Sequence, residues 1–181
     1  MKKIITVFLI GISFLGKAQE VATTSIFDRK HEVKIGAVKL LSGGIVEATY
    51  EYVSSKDFSY GTSVLYNVDS VEDWPEDFSI TPFARFYFQE SREYGAKGFF
   101  VEGFGKFYTG KKMINDVSGT SGDEIEKKFS TGSLGLSLGK KWINSSGFVF
   151  EILCGVGRNF GGNDYVPDAV FRGDLNIGYR F

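Results

Sequence analysis

Apolar and polar residues alternate along most of the chain, and the stretch "FSITPFARFYFQ" shows the pattern clearly. Every second residue from position 78 to position 88 is apolar, whereas the residues between them include hydroxyl side chains and the guanidinium of Arg85. Because successive side chains of a β-strand point to opposite faces, this period of two predicts a strand with one apolar and one polar face. Pro82 cannot donate a ladder hydrogen bond, so we expect a bulge or a bend at that position.

Eight segments with this alternation follow one another, each bounded by turn-type residues. None shows a sustained helical period, and 18 Phe, 9 Tyr and 23 Gly against 3 Pro favour strands and tight turns. We therefore predict an all-β chain. The segments are "HEVKIGAVKLL", "IVEATYEYV", "SYGTSVLYNV", "FSITPFARFYFQ", "GFFVEGFGKFYTG", "KFSTGSLGLSLGKKWI", "FVFEILCGVGRNF" and "VFRGDLNIGYRF".

The connections between the segments differ in length. "SSKDF" and "NSSG" are short, whereas "DSVEDWPED", "MINDVSGTSGDEIEKK" and "GGNDYVPDA" are long and polar. Antiparallel strands place all three long connections at one end, although the short "SGG" at that end and the longer "ESREYGAKG" at the other fit less well. Short turns at one end and long loops at the other are typical of transmembrane barrels, whose closed sheet satisfies every backbone group. The prediction is an eight-stranded antiparallel up-and-down transmembrane β-barrel.

The polar faces of these segments carry charges of both signs. In the fifth segment, Glu102 and Lys106 share the face opposite Phe99. Near balance lets charges pair inside a narrow lumen, where an unpaired charge would be costly. Because a barrel of about eight strands leaves an interior that side chains just fill, we expect a polar plug and no open pore. Lys34 and Lys141 also lie on polar faces, and the predicted lumen ion-pair network consists of Glu47, Glu51, Arg85, Glu102, Lys106, Glu151, Arg172, Asp174 and Arg180.

Aromatic residues lie near the ends of the predicted strands, where the girdles of membrane barrels meet the two interfaces. A soluble barrel with an apolar interior would have the opposite face inside, and the alternation by itself does not distinguish these two arrangements. The residues expected to form girdles are Tyr50, Tyr52, Tyr60, Tyr66, Phe107, Trp142, Phe148, Tyr179 and Phe181.

The first residues, "MKKIITVFLIGISFLGKAQE", have the pattern of a secretory signal. Two lysines precede an apolar run over residues 4–15, and Gly16 and Ala18 supply the small residues that signal peptidase requires. A run of about 12 residues is too short to cross a bilayer as a helix. We expect a Sec signal peptide over residues 1–18, cleaved after Ala18, and a single barrel domain over residues 19–181.

Four stretches resemble a known family: "FSITPFARFYF", "GFFVEGFG", "SLGLSLGKKWINSSGFVFEILCGVGRNF" and "IGYRF". They are similar to small eight-stranded outer-membrane β-barrel proteins of Gram-negative bacteria, a group assigned mainly to a domain of unknown function. The resemblance implies integral insertion in the outer membrane, among its lipid and lipopolysaccharide. It implies no established activity and supplies no catalytic residues.

The last stretch, "RGDLNIGYRF", places Leu175, Ile177, Tyr179 and Phe181 on one face, which we expect to meet lipid. The final strand is predicted to pair with the first and close the barrel. Aromatic-terminated last strands of this kind resemble the signal read by the outer-membrane insertion machinery. We therefore interpret these four residues as an assembly signal.

The residues that carry chemistry elsewhere are scarce. The net charge is −1, which gives no general attraction for nucleic acid, and one Cys forms no internal disulfide. His31 is the single histidine and starts the first strand, away from the outer leaflet, so neither a Ser–His pair nor a zinc site is expected. We predict no enzyme and no cofactor.

Three functional hypotheses remain open at this point. The first is an integral outer-membrane barrel with a structural or interaction role, whose external loops contact other outer-membrane proteins, surface polysaccharide or another cell. The second is a porin-like narrow channel, or a transporter of small or hydrophobic molecules. The third is a secreted soluble binding barrel.

Overall fold

The computed structural model describes residues 26, 28–41, 44–68, 76–88, 95–115, 124–160 and 166–181. Within them, eight strands follow one another around a closed barrel, and every neighbouring pair is antiparallel. The predicted all-β, eight-stranded up-and-down barrel is confirmed. The predicted signal peptide lies outside the described residues. The strands are β1 (His31–Gly36), β2 (Ile45–Val53), β3 (Phe58–Asn67), β4 (Glu76–Phe88), β5 (Gly98–Asn115), β6 (Glu124–Ile143), β7 (Phe148–Phe160) and β8 (Ala169–Arg180), with one short helix, α1 (Ala37–Leu41).

The last strand closes the barrel against the first. Glu32 lies opposite Arg180, and the backbone groups of His31 and Phe181 exchange two hydrogen bonds of 3.2 and 2.8 Å. We call the end of the barrel that holds His31 and Arg180 the terminal end, and the opposite end, which holds α1, the loop end. The connections over 54–57 and 144–147 and the described residues 95–97 lie at the terminal end.

The first predicted segment is only half strand. The alternation over residues 31–41 predicted one strand, but β1 ends at Gly36 and α1 follows it. A continued strand would point Lys39 outward among apolar side chains and Val38 inward. The helix reverses this, because Lys39 is buried inside the barrel while Val38 and Leu40 are exposed.

Two other local predictions differ from the structure: one long connection is partly strand, and the bulge that was one of the two expectations at Pro82 does not form. Eight of the 16 residues in the connection predicted over residues 113–128 are strand, because β5 continues to Asn115 and β6 begins at Glu124. The register is the same on both sides of Pro82, so no bulge forms there; the register shift lies between Glu76 and Phe78. A missing N–H interrupts a ladder without inserting a residue, and only an inserted residue makes a bulge.

Polar side chains fill most of the interior, and apolar side chains cover the outside. Charged residues such as Glu102 and Lys141 are fully buried, whereas Leu136 is 66% exposed and Phe107 is 64% exposed. Buried apolar side chains of the described residues form two larger clusters, one towards each end, and a smaller one of Ile26, Ile143 and Val149 at the terminal end. The terminal-end cluster is Val53, Tyr87, Ala96, Phe100 and Leu153, and the loop-end cluster is Phe83, Phe104, Tyr108, Phe129 and Val170.

Candidate functional site in the barrel interior

Arg85 is the centre of the charged interior. Strand parity on β4 turns it inward, where it binds carboxylates from three other strands. Its Nε donates to Glu102 at 2.7 Å, and its Nη1 donates to Glu51 and Glu151 at 2.7 Å each. The guanidinium also lies 4.4 Å from the ring centroid of Phe83. One planar cation thereby joins β2, β4, β5 and β7 through bidentate geometry that a lysine could not reproduce.

Glu51 on β2 accepts hydrogen bonds from two further cations. Lys34 Nζ donates to it at 2.5 Å and Lys141 Nζ at 2.7 Å. The hydroxyls of Ser59 and Tyr87 donate to the same carboxylate at 2.5 and 2.7 Å. Together these charge-assisted hydrogen bonds replace the water that the carboxylate loses on burial. A buried ion pair is tolerated only when its polar atoms are satisfied in this way.

Arg180 connects these charges to the terminal end. Its Nε donates to Glu32 at 2.7 Å, and Glu32 accepts from Lys141 at 2.8 Å. Arg180 also donates to the backbone oxygens of Gly95 and Ala96 at 3.0 and 3.2 Å. Gly95 and Ala96 therefore lie over the interior at the terminal end, and Ala96 is fully buried there.

Arg172 continues the charges towards the loop end. Its Nε donates to Glu102 at 2.8 Å, and its Nη1 donates to Glu47 at 3.3 Å. Lys39 of α1 binds Glu47 in turn and lies 3.7 Å from Asp174. Ion pairs thus run without interruption from Arg180 at one end to Asp174 near the other.

All nine residues of the predicted lumen network point inward and form ion pairs. Eight of them belong to the continuous chain of pairs, while Lys106 pairs with Glu76 at 2.5 Å. The predicted network omitted five buried charges: Lys34 and Lys141, which the alternation had placed on polar faces, and Glu32, Lys39 and Glu76, which it had not. Alternation on β1 was sufficient to find Glu32, but Lys39 depends on α1, and Glu76 was assigned to a connection.

The buried charges balance within the part of the chain that the structure describes. Seven acidic and seven basic side chains are buried in the interior. The balance is what a low-dielectric interior requires, since a surplus charge there would have no counterion. The acids are Glu32, Glu47, Glu51, Glu76, Glu102, Glu151 and Asp174, and the bases are Lys34, Lys39, Arg85, Lys106, Lys141, Arg172 and Arg180.

Aromatic side chains surround the outside of the terminal end. The His31 ring lies 5.9 Å from the Phe181 ring and 5.3 Å from the Tyr52 ring. Lys140 Nζ, also on the outside, lies 5.1 Å from the ring of Trp142. The predicted assembly residues share this outward face, with Ile177 and Phe181 exposed and Leu175 and Tyr179 partly buried.

Few groups suited to catalysis or metal binding come together in the described residues. His31 faces outward, and its Nδ1 lies 2.7 Å from the Tyr50 hydroxyl. No group of three or more His, Cys, Asp or Glu side chains suited to a metal ion occurs in the described ranges. None of the helices described there is long and apolar enough to span a membrane.

Comparisons with known proteins give no family for this chain. No protein-family model, curated protein or solved structure matches it. The resemblance to small outer-membrane barrels therefore stays a prediction.

Proposed function

We propose that the protein is an integral outer-membrane β-barrel with a structural or interaction role and a closed, ion-paired lumen. The observation that carries this proposal is the distribution of side chains, with charges inside and apolar groups outside. In water, an apolar exterior of this extent would be an aggregation liability, because soluble monomers rarely expose contiguous apolar patches above a few hundred Å². In a bilayer, the same exterior meets hydrocarbon. This contrast disfavours the soluble binding barrel.

The height of the apolar exterior supports the membrane setting. On β4, every outward side chain from Phe78 to Phe88 is apolar, and these two residues are separated by ten steps along the strand. At about 3.4 Å per residue and a strand tilt of about 40°, these steps span about 26 Å along the barrel axis. The apolar band of outer-membrane barrels is about 25 Å tall. Phenylalanines stand at both edges of this band, as interfacial girdles do.

The projecting β5–β6 hairpin supports an interaction role. Its strands stay paired from Lys111 opposite Lys128 to Asn115 opposite Glu124. The last pair of β5 with β4 is Gly110 with Glu76, so the hairpin stands above its neighbours at the loop end. A strand pair that extends beyond the neighbouring strands is suited to contact lipopolysaccharide or another outer-membrane protein.

Membrane fractionation tests the location. We expect the protein to stay in the membrane pellet after alkaline washing and to migrate faster on gels before heating than after it. Release by alkali into the soluble fraction would contradict the membrane proposal and favour the secreted soluble binding barrel.

Planar-bilayer recording tests the closed lumen separately. We expect no steady conductance from the wild-type protein, because ion pairs among Arg85, Glu51 and Glu102 cross the barrel interior. A steady conductance that changes in Glu102→Ala would contradict the closed lumen and favour the narrow channel, while leaving the membrane location intact.

A further inference from the structure

The barrel wall has a gap beside β1. The pairing of β1 ends at Ile35 opposite Ala48 on β2 and at Gly36 opposite Asn176 on β8. Both neighbours continue towards the loop end, β2 to Ile45 and β8 from Ala169. One missing strand leaves β2 and β8 about 10 Å apart, which is twice the usual strand spacing. The helix α1 lies in this gap and contacts both strands.

Polar side chains hold α1 in the gap, and we call these contacts the latch. Asp174 on β8 accepts a hydrogen bond from the backbone N–H of Val38 at 3.1 Å. Lys39 binds Glu47 on β2 and lies 3.7 Å from Asp174, so its ammonium joins the two edges of the gap. A helix of five residues has little stability of its own. Its docked position therefore depends on these contacts.

The docked helix is flanked by glycines and incompletely bonded. A Cβ on Gly36 would overlap Oδ2 of Asp174, and Gly44, beyond the helix, has a φ of +89°. Among the described residues, the buried Oδ2 of Asp174 accepts no hydrogen bond and is held by the Lys39 ammonium alone, at the long distance of 3.7 Å. A buried carboxylate oxygen without a hydrogen bond is costly, which lowers the stability of the docked state relative to an open one.

Apolar groups lie on both sides of the latch. Inside, the Arg172 guanidinium that binds Glu47 lies 5.6 Å from the ring of Phe83, which belongs to the loop-end cluster. Val170 of the same cluster is on β8, next to the gap. Outside, Leu41 of α1 is 86% exposed. A thin polar layer thus separates the apolar part of the interior from the surroundings of the barrel.

We propose that the gap between β2 and β8 is a lateral portal, with α1 as its gate, through which a molecule with a single apolar chain passes between the membrane and the loop-end cluster. The width of one strand fits one extended chain and excludes a folded ligand. This inference rests on the proposed membrane location. It adds a class of ligand, a molecule with a single apolar chain, which the proposal of a closed lumen does not specify.

Photolabelling in lipid vesicles tests the portal. The folded full chain is incubated with palmitic acid that carries a diazirine at its chain end, and labelled residues are mapped by mass spectrometry. Val170 points inward and Phe171 outward, so one peptide reports both environments. We expect labelling at Phe171 from the bilayer and weaker labelling at Val170 that excess palmitate suppresses.

The variant Lys39→Met/Asp174→Asn removes the ion pairs of the latch, keeps an Oδ1 acceptor for the Val38 N–H, and leaves no buried charge unpaired, because Glu47 keeps Arg172. We expect Val170 labelling to rise about tenfold as the open state changes from a minor to a major population. Lys140→Met, the same substitution on the outward face near Trp142, is the matched control and should label like the wild type.

The outcomes separate the two proposals. Labelling at Phe171 without any at Val170, in the wild type and in the latch variant, would overturn the portal and leave the membrane location standing. Absence of labelling at Phe171 would overturn the membrane location itself, and the portal with it. If the latch variant fails to fold, the wild-type protein tests the portal. Val170 labelling that excess palmitate suppresses supports the portal, and absence of Val170 labelling overturns it.

Discussion

At the scale of single residues, Arg85 shows how strongly one side chain depends on its neighbours. It is fully buried and binds Glu51, Glu102 and Glu151, which come from three different strands. Removing one partner of a buried ion pair costs more than the pair contributes, since the remaining charge stays desolvated. Three carboxylates would be affected at once here.

We predict that Arg85→Ala lowers the free energy of unfolding by about 3–5 kcal/mol, the usual cost of breaking a buried pair. Glu102→Ala should also destabilise the barrel, because it leaves Arg85 and Arg172 each without one partner. Arg85→Lys should fall between the wild type and Arg85→Ala, since it keeps the charge and loses the planar fork. Urea unfolding in lipid vesicles measures all three.

Lys140→Ala is the control, because this lysine lies on the outward face, where its contacts among the described residues are with the rings of Phe99 and Trp142. Its unfolding midpoint should stay close to that of the wild type. Equal midpoints for Arg85→Ala and Lys140→Ala would show that the interior ion pairs contribute nothing to stability.

At the scale of elements, β5 and β6 pack closely because aromatic rings of β5 lie over glycines of β6. A Cβ added to the inward Gly139 would overlap the ring of Phe100, and one added to Gly135 would overlap that of Phe104. These glycines let two large rings lie flat against β6 inside a narrow barrel. Their role is close approach of a side chain to the backbone.

We predict that Gly139→Ala lowers the free energy of unfolding by about 1–3 kcal/mol, as overpacking of a filled interior does. Gly103→Ala is the matched control, because a Cβ there meets no atom within 4 Å. Urea unfolding of both variants should separate them. A Gly139→Ala midpoint as high as that of Gly103→Ala would mean that the Phe100 ring moves aside without cost.

At the scale of the whole molecule, closure depends on the contact between the two terminal strands. Besides its backbone hydrogen bonds to His31, Phe181 stacks its ring on the imidazole at 5.9 Å. Leu175, Ile177 and Tyr179, the other residues of the predicted assembly signal, lie on the same outward face. Whether the insertion machinery reads it is a separate question from whether the closed barrel is stable.

We predict that removal of Phe181 lowers the fraction of protein inserted in the outer membrane of cells, measured as the heat-modifiable band. Refolding of the same variant into lipid vesicles should succeed, because seven strand pairs and the interior charges remain. Phe148→Ala, which removes an outward aromatic opposite Tyr179, is the matched control and should insert normally. Normal insertion without Phe181 would contradict the assembly signal.

The sequence by itself determined which side chains share a face. Alternation on β4 placed Arg85 and Phe86 on opposite sides, and the same rule identified the eight strands and most of the inward charges. This information is local, because the direction of a side chain in a strand follows from the parity of its position. Turn residues and segment lengths then limited the fold to an up-and-down barrel.

Only the tertiary structure decided which charges meet. Lys34 binds Glu151, which is 117 residues away along the chain, because closure and register bring β1 and β7 to the same level. The helix α1 also escaped prediction, since its five residues are too few for a helical period to be visible. Lys39 turns inward because its partners Glu47 and Asp174 lie on β2 and β8. These two strands have no strand between them beyond the end of β1. Pairing and the gap depend on the geometry of the closed sheet, which no local pattern contains.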